Sequence, residues 1–382
     1  MTTGSGRLFD SFFAGGFECS SHRRHDGRRL DLLAATGHDR HARADYAAMR
    51  AHGLRTVRDG LRWHLIEPAA GQRDWSSFLP MLQAATDEGV QPVWDLCHYG
   101  WPDDVDIWRP AFVDRFAAFA GAVARLVREH SEAVPIYCAV NEISYWSWAG
   151  GDQARMNPMA QGRGLELKHQ LVRAAIAAIE AVREADPRAR FVQVDPVVQV
   201  AAQSPGDEEE AAALCRVQHD GWLMLSGDLW PGLGGDPSYL DLLGVNYYSD
   251  NQWFLHGGAI PPGHPAYRPF RDILADVAQR HGRPVFIAET GAEGPQRAPW
   301  LRYVCGEVAA AREAGVDVQG LCLYPVLDYP GWVDERHCET GLLGLADSAG
   351  RRPVHHDLDR ELAEQQARFG EPRAWPAMDR AP

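Results

Sequence analysis

Two glutamates close short apolar runs in this 382-residue chain: Glu142 ends "AVPIYCAVNE" (133–142), and Glu289 stands in "RPVFIAETG" (283–291). An apolar run bounded by a turn residue, here Gly291, reads as a buried strand with a carboxylate at its tip. Taken singly, each glutamate reads equally well as a solvated strand end. Taken together, two carboxylates across one pocket are the equipment for cleaving a glycosidic bond. One must begin protonated to release the leaving oxygen, and the other ionised to attack the sugar carbon. Their surroundings must therefore push the two pKa values apart. A partly apolar wall serves the first, and hydrogen-bond donors or a nearby arginine serve the second.

Glu142 and Glu289 lie 147 residues apart, so the fold must bring them together. Six further runs share their pattern: "SFFAGGFE" (11–18), "LRTVRDG" (54–60), "VQPVWDLCH" (90–98), "RFVQVDP" (190–196), "LDLLGVNYY" (240–248) and "VQGLCLYP" (318–325). Helical patterns fill most gaps between these eight. Phe112, Phe116, Phe119, Val123 and Leu126 recur at spacings of three and four, as do Leu171, Val172, Ala175, Ile176, Ile179 and Val182. Gly53, Gly89 and Gly315 stand where helices end on a left-handed residue. Strands alternating with helices pair in parallel, and eight such units predict a closed (β/α)8 barrel over residues 1–369. A doubly wound sheet is the competitor, but no GxGxxG follows the first strand. Residues 370–382 read as a tail, and the Pro- and Gly-rich stretches 204–206, 231–237 and 257–265 as loops. "GDEEEAAAL" (206–214) reads as an acidic helix start that complements the helix dipole.

A barrel works at the C-terminal ends of its strands. Those tips carry Glu18, Arg58, Asp59, His98, Asn141, Glu142, Asp195, Asn246, Tyr247, Tyr248, Glu289 and Tyr324. Asp195 reads as structural. Trp94, Trp101, Trp146, Trp148, Trp253 and Trp332 cluster in sequence near the tips, and rings of this kind accept the apolar faces of sugars. Half of them are expected in core or loop packing; Trp146 and Trp148 are the candidates for walls beside Glu142.

Composition narrows the partners. The chain is 45% hydrophobic and 24% charged, with a formal net charge of −14, which disfavours nucleic acid and anionic membranes. No basic n-region with an apolar core opens it, and no apolar run approaches the ~18 residues of a spanning helix. Its seven cysteines form no CxxC pair and read as reduced core residues, so a cytoplasmic location is expected. "HRRHDGRR" (22–29) and "GHDRH" (37–41) raise the question of a metal site. The surrounding arginines oppose a cation and would suit an acidic or phosphorylated sugar instead. No metal and no cofactor are expected.

Several of these stretches resemble the clan A barrel glycosidases, particularly the family 1 β-glucosidase group. The likeness covers roughly residues 10–346, through "NE" (141–142), "ETG" (289–291), "HGLRTVRDGLRWHLIEP", "DLCHYGWPD", "GVNYY", "YPVLDYPGW" and "GLLGL". It implies a retaining β-glycosidase with Glu142 as acid/base and Glu289 as nucleophile. Arg58 and a tyrosine of the Tyr247/Tyr248 pair would contact the nucleophile, Asn246 would help to hold it, and His98 and Asn141 would bind sugar. The specificity residues depart from the pattern. Tyr324 replaces a tryptophan, Gly331 replaces an acidic residue before Trp332, and Glu18 stands near the place of a glutamine. Weak turnover of simple aryl glucosides is the expectation. The same carboxylate pair would also serve a transglycosylase, and a non-catalytic sugar-binding barrel is the alternative from another class. A metal-dependent barrel hydrolase would show more strand-tip histidines than His98.

Overall fold

A computed structural model describes residues 7–373. Its eight barrel strands are β1 (Phe13–Gly16), β2 (Thr56–Gly60), β3 (Gln91–Asp95), β4 (Ile136–Cys138), β5 (Arg190–Pro196), β6 (Leu242–Asn246), β7 (Val285–Thr290) and β8 (Val318–Leu323). Each falls within one of the eight predicted runs. They pair in parallel in sequence order, and β8 closes on β1 with Phe13 opposite Leu321. The outer layer comprises α1 (His38–Ala51), α2 (Leu79–Glu88), α3 (Pro110–His130), α4 (Gly164–Ala185), α5 (Glu208–Val217), α6 (Asp220–Ser226), α7 (Phe270–His281), α8 (Arg297–Glu313) and α9 (His356–Arg368).

Alternation along the strands divides the core in two. Ala14, Val93, Ile136, Cys138, Val192, Val194, Leu242, Phe286, Ala288 and Cys322 fill the barrel interior, with Phe9 among them. The residues between them face the helices. Phe112, Phe116 and Phe119 of α3 are buried there, each contributing about 2 kcal/mol of hydrophobic stabilisation. Gly53, Gly89 and Gly315 adopt φ of 79°, 62° and 93°, the left-handed region that ends a helix without a Cβ clash. Glu208, Glu209 and Glu210 form the acidic first turn of α5. Glu371 accepts from the Phe12 amide, and Arg373 pairs with Asp359. The remainder of the expected tail, residues 374–382, and the first six residues of the expected barrel unit lie outside the described residues. All seven cysteines are free thiols, and no helix among the described residues is long and apolar enough to cross a membrane.

Asp59 shows what alternation does to a strand tip. Arg58 turns into the barrel, so Asp59 turns out toward α1, where it accepts from His38 Nε2 (2.8 Å) and Tyr46 Oη (2.6 Å). His38 Nδ1 meets Asp45 at 2.7 Å, and Asp45 also receives Arg352. This network ties β2, α1 and the segment before α9 together, and it lies away from the strand-tip carboxylates. Burial pushes His38 down, but Asp59 and Asp45 reverse this and bring it up to about 9. The folded state thus holds the His38 proton more tightly than the unfolded chain, whose histidine titrates near 6.5. The stabilisation is complete below that value and is lost as pH rises through about 9. Denaturant unfolding across this window is expected to show a decline of about 3 kcal/mol that His38→Gln flattens. An unchanged slope in the variant would contradict the charged-histidine assignment.

Candidate active site

Arg58 is the centre of the strand-tip cluster. It projects from β2 into the barrel and is 1% exposed. Its Nε and Nη2 donate to Asp95 at 3.0 and 2.7 Å, and Nη2 also donates to Asn141 Oδ1 at 2.5 Å. Nη1 donates to Glu289 Oε1 at 2.7 Å and to the Ala288 carbonyl at 3.2 Å. Burial works against the Asp95 charge, yet Arg58 and His98 hold its carboxyl below the ordinary range.

Strict alternation would send Glu289 away from this cluster, because Phe286 and Ala288 already face inward. A register shift prevents that. Val245 pairs with Ile287, but Asn246 pairs with Glu289, which leaves Ala288 as an extra residue on β7. This β-bulge lets Ala288 and Glu289 both face the barrel, while Thr290 turns outward to Trp300 of α8. The second oxygen of Glu289 accepts from Tyr248 Oη at 2.8 Å. Tyr248 is thus the member of the tyrosine pair that reaches the site. Tyr247 faces the helix layer, stacked at 3.9 Å on Phe270 and bonded to Tyr267 and Gln252.

Glu142 follows β4 in a left-handed conformation with φ of 48°. Its amide donates to the Val194 carbonyl, and Asp195 holds the next turn by accepting from the Ser144 amide and hydroxyl. Asp195 is therefore structural, as expected; burial raises its carboxyl to about 7. Asn246 donates to Glu142 Oε1 at 2.8 Å, so it supports this glutamate rather than Glu289. Its position explains the difference: as the strand neighbour of Glu289 it stands between the two carboxyls and reaches across to the other. Tyr99 Oη donates to Glu142 Oε2. Burial first, and the Glu289 charge second, push Glu142 up to about 8.

Asn141 uses its amide hydrogens on His98 Nε2 and Tyr99 Oη, both at 3.0 Å. Its Oδ1 is fixed by Arg58, so the amide nitrogen must donate and His98 Nε2 accept, leaving Nδ1–H for Asp95 at 2.9 Å. Burial disfavours and Asp95 favours the charged His98 ring, with a net upward direction. The amide donor at Nε2 is the geometric reason to write the ring neutral. Tyr324 lies parallel to His98 at 6.3 Å, with the Arg58 guanidinium 5.2 Å from its ring centre. Gly16 makes that possible, since a Cβ there would stand 2.2 Å from the tyrosine ring. Glu18 is buried and accepts from the Ser20 amide; burial first, and Glu289 also, raise its carboxyl, against His98 and Ser20.

The tryptophans sort by depth. Trp332 packs at 4.6 Å from His22 and 5.8 Å from Tyr99, and its indole N–H is buried without a partner. Trp146 is fully buried behind Tyr99, with its N–H given to the Asn157 carbonyl, so it backs the site without lining it. Trp94 packs on Phe78 in the helix layer, and Trp101 on Trp146 and Phe112. Trp148 is exposed beneath Arg155, and Trp253 pairs with Val200 in a small outer sheet.

The histidine- and arginine-rich loop spends its charges within the protein. Arg23 and Arg29 bind Asp103, Arg24 binds Asp26 and Glu335, and Arg28 binds Glu335. These pairs tie the β1 loop to the β3 and β8 loops. His22 and His38 are separated, one against Trp332 and the other in the Asp59 network. Among the described residues, Cys19, Asp95 and His98 bring three potential metal ligands together. Arg58 occupies both Asp95 oxygens there, and burial, then Asp95, pushes the Cys19 thiol well above its ordinary value. Both effects oppose a cation.

Tyr99 was not among the residues singled out from sequence. Its only signal is adjacency to His98 in "CHYG".

None of the protein-family models matches this chain, and none of the curated proteins does. Solved structures match over nearly its whole length. A β-glucosidase from Thermotoga maritima in complex with glucoimidazole superposes with a TM-score of 0.77 at 16% identity, covering 97% of this chain and 100% of that one. A family 1 β-glucosidase from the same organism gives 0.75 at 17%, covering 97% and 98%. A hyperthermophilic β-glucosidase mutant gives 0.74 at 14%, covering 92% and 99%. The fold is that of the family 1 β-glucosidases, the clan A glycosidase barrel.

Removing Arg58 tests the cluster. Arg58→Met strands the buried Asp95 charge and is expected to cost about 3–5 kcal/mol in denaturant unfolding. Adding Asp95→Asn should recover a large part of that loss. Equal stability of the single and double variants would show that the ion pair is not what the barrel mouth rests on.

Proposed function

We propose that this chain is a retaining glycoside hydrolase acting on β-glycosides through a covalent glycosyl–Glu289 intermediate. The reading rests on one contrast. Glu289 accepts from a guanidinium and a phenol, whereas Glu142 accepts only from neutral groups and is pushed up to about 8. One carboxyl is presented as a nucleophile and the other retains its proton at neutral pH.

In the first displacement a Glu289 oxygen attacks the anomeric carbon while the bond to the leaving oxygen breaks and takes the Glu142 proton. In the second, Glu142 as carboxylate removes a proton from water, whose oxygen attacks the same carbon and expels Glu289. Two inversions retain configuration. Arg58 assists twice, aiming Glu289 for attack and stabilising it as it leaves. A sugar hydroxyl in place of water would give transglycosylation with the same groups. Gly331 supplies no carboxylate beside Trp332, which supports weak activity on simple aryl glucosides.

Intact mass after incubation with a panel of 2-deoxy-2-fluoro glycosides tests this directly. An adduct on the parent that is absent from Glu289→Gln is expected. Sugar binding by calorimetry without an adduct from any glycoside would instead favour the non-catalytic sugar-binding barrel. The pH profile adds a second test. Glu142 must be protonated for the first step, so kcat/KM should fall as pH rises through about 8. Glu142→Ala should abolish that limb and lose over 100-fold on substrates with poor leaving groups, with azide restoring turnover of activated ones. A limb that survives the substitution would remove Glu142 from the acid role.

A further inference from the structure

We propose that Tyr99 is a positioning residue for Glu142, orienting its carboxyl and favouring the carboxylate form. This rests on the glycosidase reading above and adds a residue to it. Tyr99 stands in the loop after β3 with φ of 66°, a conformation costly for a bulky side chain and one that the surrounding packing must hold. The packing is present. Its ring is buried and meets four others edge-on: His98 at 4.7 Å, Trp146 at 5.6 Å, Trp332 at 5.8 Å and His22 at 6.0 Å. Asn157 Nδ2 donates to its carbonyl at 3.0 Å.

The direction of the hydrogen bonds follows from one fixed end. Arg58 can only donate, so Asn141 Oδ1 accepts and Asn141 Nδ2 must donate to Tyr99 Oη. With its oxygen accepting from that amide, the phenol directs its own hydrogen to Glu142 Oε2. The chain therefore runs Arg58 to Asn141 to Tyr99 to Glu142, each link donating to the next. Both carboxyl oxygens of Glu142 thus accept, Oε2 from the phenol and Oε1 from the Asn246 amide, and together these donors fix how the carboxyl faces the pocket. The same phenol hydrogen favours the carboxylate form that the second displacement needs. It offsets part of the upward push from burial and from Glu289.

The groups facing Glu142 are Tyr99 from the β3 loop, Asp195 from β5, Asn246 from β6, Glu289 from β7, and the phenols of Tyr145 and Tyr248. Of these, Tyr99 and Asn246 donate to its carboxyl. Tyr99→Phe deletes the phenol donor and keeps the ring that fills the space.

The test compares the parent and Tyr99→Phe by pH profile. A hydrogen bond to a charged acceptor is worth about one pKa unit here, so the basic limb of kcat/KM should move up by about one unit in the variant. Turnover of substrates with poor leaving groups should fall about tenfold. Adduct formation from a 2-deoxy-2-fluoro glycosyl fluoride, whose leaving group needs little acid assistance, should stay within about threefold. That control reports a folded variant with Glu289 intact. A limb that stays in place with a uniform loss across pH would reduce Tyr99 to packing and overturn the inference. Loss of the adduct in the variant alone would also overturn it, by placing the effect on Glu289. If the parent itself forms no adduct, the functional reading fails instead.

Discussion

A buried guanidinium must be surrounded by acceptors, and that requirement organises the mouth of this barrel. Arg58 has no solvent to turn to, so Asp95, Asn141, Glu289 and the Ala288 carbonyl converge on its donors from β3, the end of β4 and β7. Asp95 takes the charge face to face, and His98 is oriented by Asp95 in turn. Asn141 is oriented by Arg58 and orients Tyr99. Asp95, Asn141 and Glu289 directly, and His98, Tyr99 and Tyr248 at one remove, are thus aligned by a single residue on β2. Such a site is preorganised because its donors and acceptors have few other partners to choose.

The two glutamates owe their difference to that arrangement. Glu289 receives the guanidinium itself, while Glu142 receives only neutral donors, Asn246 and Tyr99, and sits under the field of its neighbour. No change of residue type is needed to give two glutamates different surroundings. Burial and the charge of Glu289 act on one, and the guanidinium acts on the other. The loops above reinforce the pocket, because the β1-loop arginines are locked to Asp103 and Glu335, which places His22 and Trp332 beside Tyr99.

Much of this was legible in the sequence, and the rest fails for identifiable reasons. The eight apolar runs became eight strands because alternation with helices leaves parallel pairing as the way to satisfy their backbones. Glu142, Glu289, Arg58 and His98 were visible as polar groups closing apolar runs. Period two along the strands accounts for Asp59 and Tyr247 facing the helices while Arg58 and Tyr248 face the barrel. A list of strand tips does not carry that information unless one member's direction is known. The partner of Asn246 depended on which side of the pocket its strand neighbour occupied. Tyr99 and the depth of Trp146 depended on loop conformations with positive φ, which residue types do not announce.

The bulge in β7 has a bearing on how this barrel could change over generations of sequence variation. Whether Ala288 bulges or takes a paired place decides whether the charge at position 289 is delivered to the pocket or to the apolar layer beneath α8. Loss of Ala288 would restore plain alternation, with Glu289 following Ile287 and still facing inward, whereas one further residue before Glu289 would shift the facing of everything after it. The facing of Glu289 is therefore set by the residue count of its strand as well as by residue identity. An insertion inside this six-residue strand is the change that such a site would tolerate least.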